Sequence, residues 1–320
     1  MPLQPRYALV YSVGDHRVES LAANCLTQTP EDREDSMPFA DVGDVRLYYE
    51  FTGPEDAPLI LQFGGSLFGR QNFDGVNDGF RENFRLLSFD ASGYGRSTQP
   101  LTGYSIEGWA DEGAGLLDAL GIDRALNHGT SMGGMISLAF TAKYPDKTIA
   151  SCADCAFARC DTYRRVMFRN WRQQCEALPL DDFCALLTIQ AVGAGFIEEH
   201  PDVFENVTRI VGRNSPYTVR QACLAMEEMD LEPLVGQLRR PILFTNGSRD
   251  IMTPPDLAPS GFSARQVVEA APEWARLHEF PDIGHADLLE VPDEAVRVVT
   301  AFFQEVLAQE KDTALSAATA

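Results

Sequence analysis

Basic residues are scarce in this chain of 320 residues. Lysine and arginine together number 26, against 47 aspartates and glutamates, which gives a formal charge of −21 at neutral pH. A surface with this excess of negative charge repels the phosphate backbone of DNA or RNA. The composition therefore argues against nucleic acid as a partner.

Long hydrophobic runs are also missing. No stretch approaches the roughly eighteen apolar residues that a membrane-spanning helix needs, and the first residues lack the basic and apolar regions of a secretory signal. We therefore expect a soluble, cytoplasmic protein without a membrane partner. The hydrophobic content of 45% still permits a sizeable core, and the length suits one large domain with a smaller subdomain.

Cysteine is present but not in a paired pattern. The chain has seven cysteines, and Cys152, Cys155 and Cys160 lie together without a matching second pair or a nearby histidine. This arrangement favours free or buried thiols, with a zinc site as the alternative. We predict that the protein uses neither a metal nor a cofactor.

The most informative stretch surrounds Ser131. Glycines stand two residues before and two residues after it, at Gly129 and Gly133, and an apolar helical pattern follows until Pro145. In a sharp strand-turn-helix the chain passes so close to itself that only glycine fits at these two positions. The turn would hold the hydroxyl of Ser131 above the sheet, beside the first free amides of the helix. The pattern predicts a nucleophile elbow.

Strand-like and helix-like segments alternate on both sides of this stretch. Predicted strands cover 45–51, 59–62, 84–89, 147–152, 241–245 and 277–280, and predicted helices cover 105–120 and 293–307. This alternation predicts an α/β fold, in which a mostly parallel central sheet has helices on both faces. Ligands of such folds gather at the carboxyl ends of the strands.

The alternation lapses in the middle of the chain, which suggests a division into parts. Residues 154–232 have the pattern of consecutive helices, and we interpret them as a helical cap inserted into an α/β core of residues 38–153 and 233–311. Residues 1–37 are an N-terminal extension without a clear period. The alanine- and threonine-rich residues 312–320 are predicted to form a loose tail.

Two polar residues follow predicted strands and complete a candidate catalytic triad with Ser131. A serine hydroxyl needs a base to remove its proton and a third group to orient that base. Among the five histidines, His285 alone sits in a Gly-His exit turn, and Asp250 follows the strand before it. We predict that His285 is the base and Asp250 its partner. Asp154 is a rival acid, and His128, beside the elbow, is assigned to packing.

The tetrahedral intermediate formed by an attacking serine needs amide donors for its oxyanion. We assign these donors to the backbone of Met132, which follows the nucleophile, and of Gly65, which lies in the glycine loop after the second predicted strand. Ser66, in the same loop, is a candidate substrate-binding residue.

The predicted cap carries three arginines in an otherwise acidic chain. Arg165, Arg169 and Arg172 fall on one helical face. Guanidinium groups bind carboxylates in a bidentate way, so Arg165 and Arg169 are candidate ligands of a carboxylate-bearing substrate, and the nearby Trp171 is a further candidate substrate-binding residue. A solvated helix face is the alternative.

Taken together, these motifs resemble the α/β-hydrolase family over roughly residues 38–310. They are Phe63-Gly-Gly-Ser66, the loop Asp90-Ala-Ser-Gly-Tyr-Gly-Arg-Ser97, Gly129-Thr-Ser-Met-Gly133, Asp250 and Gly284-His285. The layout is similar to that of 3-oxoadipate enol-lactonases, and carbon-carbon hydrolases of ring-cleavage products share the same core. Both classes of substrate carry carboxylates. Relatives often have histidine where this chain has Phe63.

The resemblance and the residues together predict a cofactor-independent serine hydrolase that cleaves a small carboxylic ester or lactone through an acyl-enzyme. Hydrolysis of a carbon-carbon bond in a diketone and ligand binding without catalysis remain alternatives. Epoxide hydrolase or dehalogenase chemistry is disfavoured, because those enzymes use a carboxylate where this chain has Ser131. The sequence is also compatible with a homo-oligomer.

Overall fold

The described part of the chain contains one eight-stranded sheet. A computed structural model describes residues 38–319, and the side chains of residues 38–313, so the predicted N-terminal extension lies outside the described residues. The strands are β1 Phe39–Val42, β2 Val45–Thr52, β3 Leu59–Phe63, β4 Arg85–Asp90, β5 Ala125–Thr130, β6 Thr148–Asp154, β7 Ile242–Gly247 and β8 Ala275–Phe280.

The order of the strands across the sheet is β1-β2-β4-β3-β5-β6-β7-β8. The β1–β2 and β2–β4 pairs are antiparallel, and all five remaining pairs are parallel. The sheet is therefore mostly parallel, which confirms the predicted fold class. Strands β5 to β8 all end at one edge, where the loops that carry the candidate site begin.

Both faces of the sheet are buried. In β3, Ile60 and Leu61 point into different hydrophobic clusters, and Leu86 and Leu87 of β4 do the same. Successive side chains of a strand point to opposite faces, so continuous apolar strands are the pattern of a sheet with helices on both sides.

Twelve helices accompany this sheet in residues 38–319. They are α1 Asn77–Arg81, α2 Ile106–Ala119, α3 Met132–Lys143, α4 Thr162–Ala177, α5 Leu180–Ala191, α6 Ala194–Glu199, α7 Val203–Val211, α8 Pro216–Glu228, α9 Glu232–Val235, α10 Ala264–Ala270, α11 Asp287–Glu290 and α12 Pro292–Thr319. Helices α1 and α12 contribute Phe80 and Phe303 to one hydrophobic cluster. Helices α2 and α3 contribute Trp109 and Ile136 to the other cluster.

Local signals fix the ends of helix α2. The Ser105 side chain accepts a hydrogen bond from the Gly108 N–H at 3.0 Å, which satisfies one of the amides that the first turn leaves free. At the other end Gly121 has a φ of 66°, a left-handed conformation that glycine adopts without strain. The helix therefore lies where the sequence predicts it.

Helices α4 to α8 form an insertion between β6 and β7, which we call the helical insertion. Within it, α4 packs against α8 and α5 packs against α7. The insertion and the sheet belong to the same compact unit. It occupies the segment in which the sequence shows helix after helix.

The C-terminal end of the chain differs from the prediction. The closing helix was expected over residues 293–307 with a loose tail at 312–320, but α12 continues to Thr319. Residues 308–319 contain neither glycine nor proline and are rich in alanine, the residue with the highest helix propensity, so nothing local stops the helix. Among the described helices, α12 included, none has the length and apolar composition that crossing a bilayer requires.

Candidate active site

Ser131 lies at the apex of a sharp turn between β5 and α3. Its φ of 57° and ψ of −119° are unusual for a residue with a side chain. A Cβ atom at Gly129 would lie 1.9 Å from the carbonyl oxygen of Gly133, and one at Gly133 would lie 1.9 Å from that of Phe63. These distances forbid any side chain, which is the physical reason for the glycine spacing around the serine.

Three side chains that are distant in sequence meet at this turn. The Nε2 atom of His285 lies 3.0 Å from Oγ of Ser131, and its Nδ1 atom lies 2.9 Å from Oδ2 of Asp250. The Ser131 hydroxyl can therefore donate to Nε2 while Nδ1–H donates to the carboxylate. The geometry is that of a nucleophile, a base and an orienting acid.

Asp250 is fixed by a short turn. Its Oδ1 atom accepts hydrogen bonds from the N–H groups of Met252 and Thr253, at 2.7 and 3.0 Å. The Thr253 hydroxyl donates to Oδ2 at 2.7 Å and also lies 3.1 Å from Nδ1 of His285. Sequence reasoning missed Thr253.

The two ionisable members of this trio shift each other's pKa in opposite directions. Burial lowers the pKa of His285, but the charge and hydrogen bond of Asp250 outweigh burial and raise it above the usual 6.5. Burial raises the pKa of Asp250, but the charge of His285 and the hydrogen bonds from His285 and Thr253 lower it below the usual 3.8. Each group therefore stabilises the charged form of the other.

The loop that carries His285 is held by the helical insertion. The N–H of His285 donates to the carbonyl of Ala191, at the end of α5, at 2.7 Å. The Glu290 carboxylate accepts hydrogen bonds from the N–H groups of Gly284 and Gly193, both at 3.0 Å. Glu290 thus joins the two segments, a role that sequence reasoning did not identify.

The two predicted oxyanion donors differ in their surroundings. Met132 is the first residue of α3, so its N–H has no carbonyl partner one turn earlier in the helix. The N–H of Gly65 instead donates to Oδ1 of Asn72 at 2.7 Å. The amide of Gly65 thus already has an acceptor in this structure, and the assignment of Gly65 as an oxyanion donor stays a prediction. Asn72 was missed by sequence reasoning.

The family model described as the alpha/beta hydrolase fold matches residues 58–292. The chain belongs to the α/β-hydrolase family. The match includes Ser131, Asp250 and His285 together with the whole helical insertion, and the order of the three residues along the chain is Ser, Asp, His.

Relatives of this α/β hydrolase have several activities. This chain is 23% identical over 234 residues to 3-oxoadipate enol-lactonase 2 of Acinetobacter baylyi. That match covers 72% of this chain and 85% of the relative. The chain is 34% identical over 107 residues to the bifunctional esterase/perhydrolase DCH of Acinetobacter calcoaceticus, where the match covers 33% of this chain and only 39% of the relative. These relatives support the conclusion that this chain is a hydrolase.

A solved structure supports the same fold. The enol-lactonase from Burkholderia xenovorans LB400 superposes with a TM-score of 0.74 at 23% identity, over 83% of this chain and 100% of that chain. At this identity the likeness shows that the two proteins share the α/β-hydrolase fold.

A cavity of about 240 Å³ opens onto Ser131 and His285 in this α/β hydrolase. One wall comes from the loop after β3, which includes Ser66 and Asn72, and the other comes from the helical insertion, which includes Trp171. The predicted contact residues Ser66 and Trp171 therefore do line the space beside the serine. Trp171 also borders a second cleft of about 210 Å³, lined by α4 and by Gln190.

The predicted arginine ligands do not line this cavity. Arg165 and Arg169 are absent from its walls, and Arg169 and Arg172 both pair with the Glu227 carboxylate of α8, at 2.9 and 3.1 Å. The face of α4 that carries these arginines packs towards α8, whereas Trp171 faces the cavity. Helical spacing groups the arginines correctly but does not show which neighbour that face meets.

The rival acid Asp154 has another partner. It accepts a hydrogen bond from the Thr245 hydroxyl at 3.0 Å and pairs with Asp287, and both carboxyl groups are fully buried. Burial raises the pKa of both, and the proximity of Asp154 pushes the pKa of Asp287 well above its usual range. We interpret the pair as a carboxylate and a protonated acid that share one hydrogen bond.

His128 and the three clustered cysteines are buried, as expected. The His128 ring packs edge-on against Phe73 and Phe80, and burial lowers its pKa to about 3, so it is neutral. The clustered cysteines are Cys152, Cys155 and Cys160, and burial raises the pKa of each. The Cys155 thiol lies 3.1 Å from the carbonyl oxygen of His285 and within 4.8 Å of the acids Asp154 and Asp287.

Proposed function

We propose that this α/β hydrolase is a serine hydrolase that cleaves a small carboxylic ester or lactone through an acyl-enzyme. The observation that carries the proposal is the continuous chain of hydrogen bonds from Ser131 through His285 to Asp250, with distances of 3.0 and 2.9 Å, at the wall of a cavity. The first distance lies within the range in which a base can accept a proton from a nucleophile, and the second within the range in which a carboxylate can orient that base.

In the first half of the reaction Oγ of Ser131 attacks the carbonyl carbon while Nε2 of His285 takes the hydroxyl proton. Asp250 holds the imidazole in the tautomer with hydrogen on Nδ1 and stabilises its charged form. The protonated Nε2 then donates to the departing alcohol oxygen. Water repeats the attack on the acyl-enzyme with the same base, so the chain's own residues supply every proton transfer and no cofactor takes part.

In both halves of the reaction, the oxyanion of the tetrahedral intermediate faces the start of α3. The Met132 N–H is one donor, and removal of such a donor typically costs about 3 kcal/mol of barrier. The N–H of Gly65 now donates to the side-chain oxygen of Asn72, 2.7 Å away. To act as the second donor, it must break this hydrogen bond and donate to the oxyanion instead. Substrate binding would supply the new acceptor at that position.

The proposal is tested by labelling with a fluorophosphonate and by hydrolysis of p-nitrophenyl esters and enol-lactones. Wild type should be labelled stoichiometrically at Ser131, and Ser131→Ala should lose both labelling and turnover. Ser260→Ala, which changes an exposed serine, is the control and should behave as wild type. A folded wild type without labelling would indicate a ligand-binding protein instead.

Hydrolysis of a carbon-carbon bond is the second candidate, because the same nucleophile and base serve that reaction. A relative named 2-hydroxy-6-oxononadienedioate/2-hydroxy-6-oxononatrienedioate hydrolase, from Burkholderia vietnamiensis, is 35% identical over 111 residues, which cover 33% of this chain and 38% of the relative. Adding a vinylogous diketone to the same screen separates the two reactions. Turnover of the diketone alone would favour the second candidate.

A further inference from the structure

The walls of the cavity beside Ser131 are mostly apolar. The helical insertion contributes Trp171, Leu187, Val192, Val203, Val207 and Ile210 to it. The core adds further apolar side chains to the lining, among them Leu67, Phe68, Met252 and Leu288. Such walls bind hydrocarbon by removing it from water and offer little to an ion.

The ionisable groups of the lining do not supply a counter-ion for a carboxylate ligand. Among residues 38–313, neither a lysine nor an arginine lines the cavity, and the ionisable side chains of the lining are Asp74, Asp287 and His285. His285 already faces Asp250. An anion in this cavity would therefore meet the carboxyl group of Asp74 and, from the described part of the chain, no lysine or arginine.

Several arginines outside the lining pair with acids, whereas Arg209 and Arg213 are exposed. Arg169 and Arg172 share Glu227 on the far side of α4. Arg209 and Arg213 act electrostatically on Asp74, together with Arg70. Asp74 itself is exposed, so it stands where the cavity meets solvent.

From this lining we infer that the acyl group of the substrate is uncharged and apolar, and that the cavity rejects acyl chains ending in a carboxylate. The inference rests on the proposed ester hydrolysis and specifies its substrate class. A carboxylate that enters the cavity loses its hydration and gains no counter-ion. A neutral chain of the same length has a much smaller free energy of hydration to lose. The volume of about 240 Å³ is also below the roughly 300–1,000 Å³ of common ligand pockets, which favours a small substrate.

A matched pair of substrates tests the inference on the wild-type protein. The p-nitrophenyl ester of glutarate carries a free carboxylate, and its methyl ester has the same chain length without the charge. We expect kcat/KM for the neutral ester to exceed that for the anion by at least about 100-fold. Equal rates, or a preference for the anion, would overturn the inference while leaving the ester-hydrolase proposal intact.

Two variants then locate the selectivity in the cavity. Leu187→Arg places a cation in the lining and should raise the relative rate of the anionic ester at least about 10-fold. Ile189→Arg is the control, because Ile189 lies two residues further along α5, is 57% exposed and does not line the cavity. Ile189→Arg should leave the ratio of kcat/KM for the neutral ester to kcat/KM for the anionic ester unchanged. If both variants change this ratio to a similar extent, the cavity is not the source of the selectivity.

Arginine at a buried leucine position can prevent folding, so a second variant removes a charge instead. Asp74→Asn deletes the acid that an incoming carboxylate would face, and it should narrow the preference for the neutral ester by roughly 3-fold. An unchanged ratio in Asp74→Asn would exclude this acid as a source of selectivity. If neither ester reacts and Ser131 is not labelled, both the proposed function and this inference fail.

Discussion

Replacing Asp250 with asparagine should remove most of the activity without removing the fold. The asparagine oxygen can still accept the hydrogen bonds that Oδ1 of Asp250 receives from the Met252 and Thr253 amides, at 2.7 and 3.0 Å. Its NH2 group, however, would replace the acceptor that lies 2.9 Å from Nδ1 of His285. The imidazole would then carry its hydrogen on Nε2, the atom that must receive the proton of Ser131.

The size of the effect follows from this wrong tautomer. In serine proteases with the same arrangement, the equivalent change lowers kcat about 10⁴-fold, and this corresponds to about 5 kcal/mol of barrier. We expect a loss of similar size here, because a single carboxylate oxygen of Asp250 orients His285. KM should change much less, since Asp250 does not line the cavity.

The pH profile gives an independent readout. The neutral imidazole of His285 is the active form, so activity rises with pH through its pKa. In wild type the charge of Asp250 overcomes burial and places that pKa above 6.5. Asp250→Asn removes the charge and the hydrogen bond that raise this pKa most and leaves burial, which lowers it, together with the smaller effect of Asp154, so the acid limb of the residual kcat/KM should move to lower pH.

The assay is hydrolysis of a neutral p-nitrophenyl ester from about pH 5 to about pH 9, with thermal unfolding of each variant as a check on folding. Asp282→Asn is the matched control, because Asp282 lies in the same loop as His285 and forms an exposed ion pair with Arg249. It should keep wild-type kcat and the wild-type acid limb. A loss below about 10-fold in folded Asp250→Asn, or an unmoved acid limb, would refute the orienting role of Asp250.

Further predictions concern the elbow, the cavity wall and the buried acids. Gly133→Ala pushes a Cβ to 1.9 Å from a main-chain oxygen, so it should cost about 3 kcal/mol or more in urea unfolding, whereas Gly236→Ala, with open space around it, should cost little. Trp171→Ala should join the cavity to the neighbouring cleft and shift the preferred p-nitrophenyl ester to longer chains, and an unchanged optimum would contradict this. Asp287 has a folded-state pKa well above its unfolded value, so wild-type stability falls as pH rises between the two, and Asp287→Asn should lose less stability towards alkaline pH. Parallel thermal-unfolding curves for the two proteins across that range would refute the shared proton with Asp154.

The sequence by itself determined the parts of this protein that depend on neighbouring residues. Glycine at positions 129 and 133 is dictated by a chain that passes within 2 Å of where a side chain would begin. Apolar strands that alternate with helical periods dictate a parallel sheet. The carboxyl ends of parallel strands share one edge, and residues just beyond β7 and β8, Asp250 and His285, therefore come together with the serine.

Only the tertiary structure decided which groups face the cavity and which face each other. The arginines of α4 were grouped correctly by helical spacing, yet their charge is taken up by Glu227, 55 or more residues away along the chain. Likewise Asn72 holds the amide of Gly65. Local patterns fix the direction of a side chain relative to its own helix or strand, but the partner it meets depends on how distant segments pack, and that information is not local.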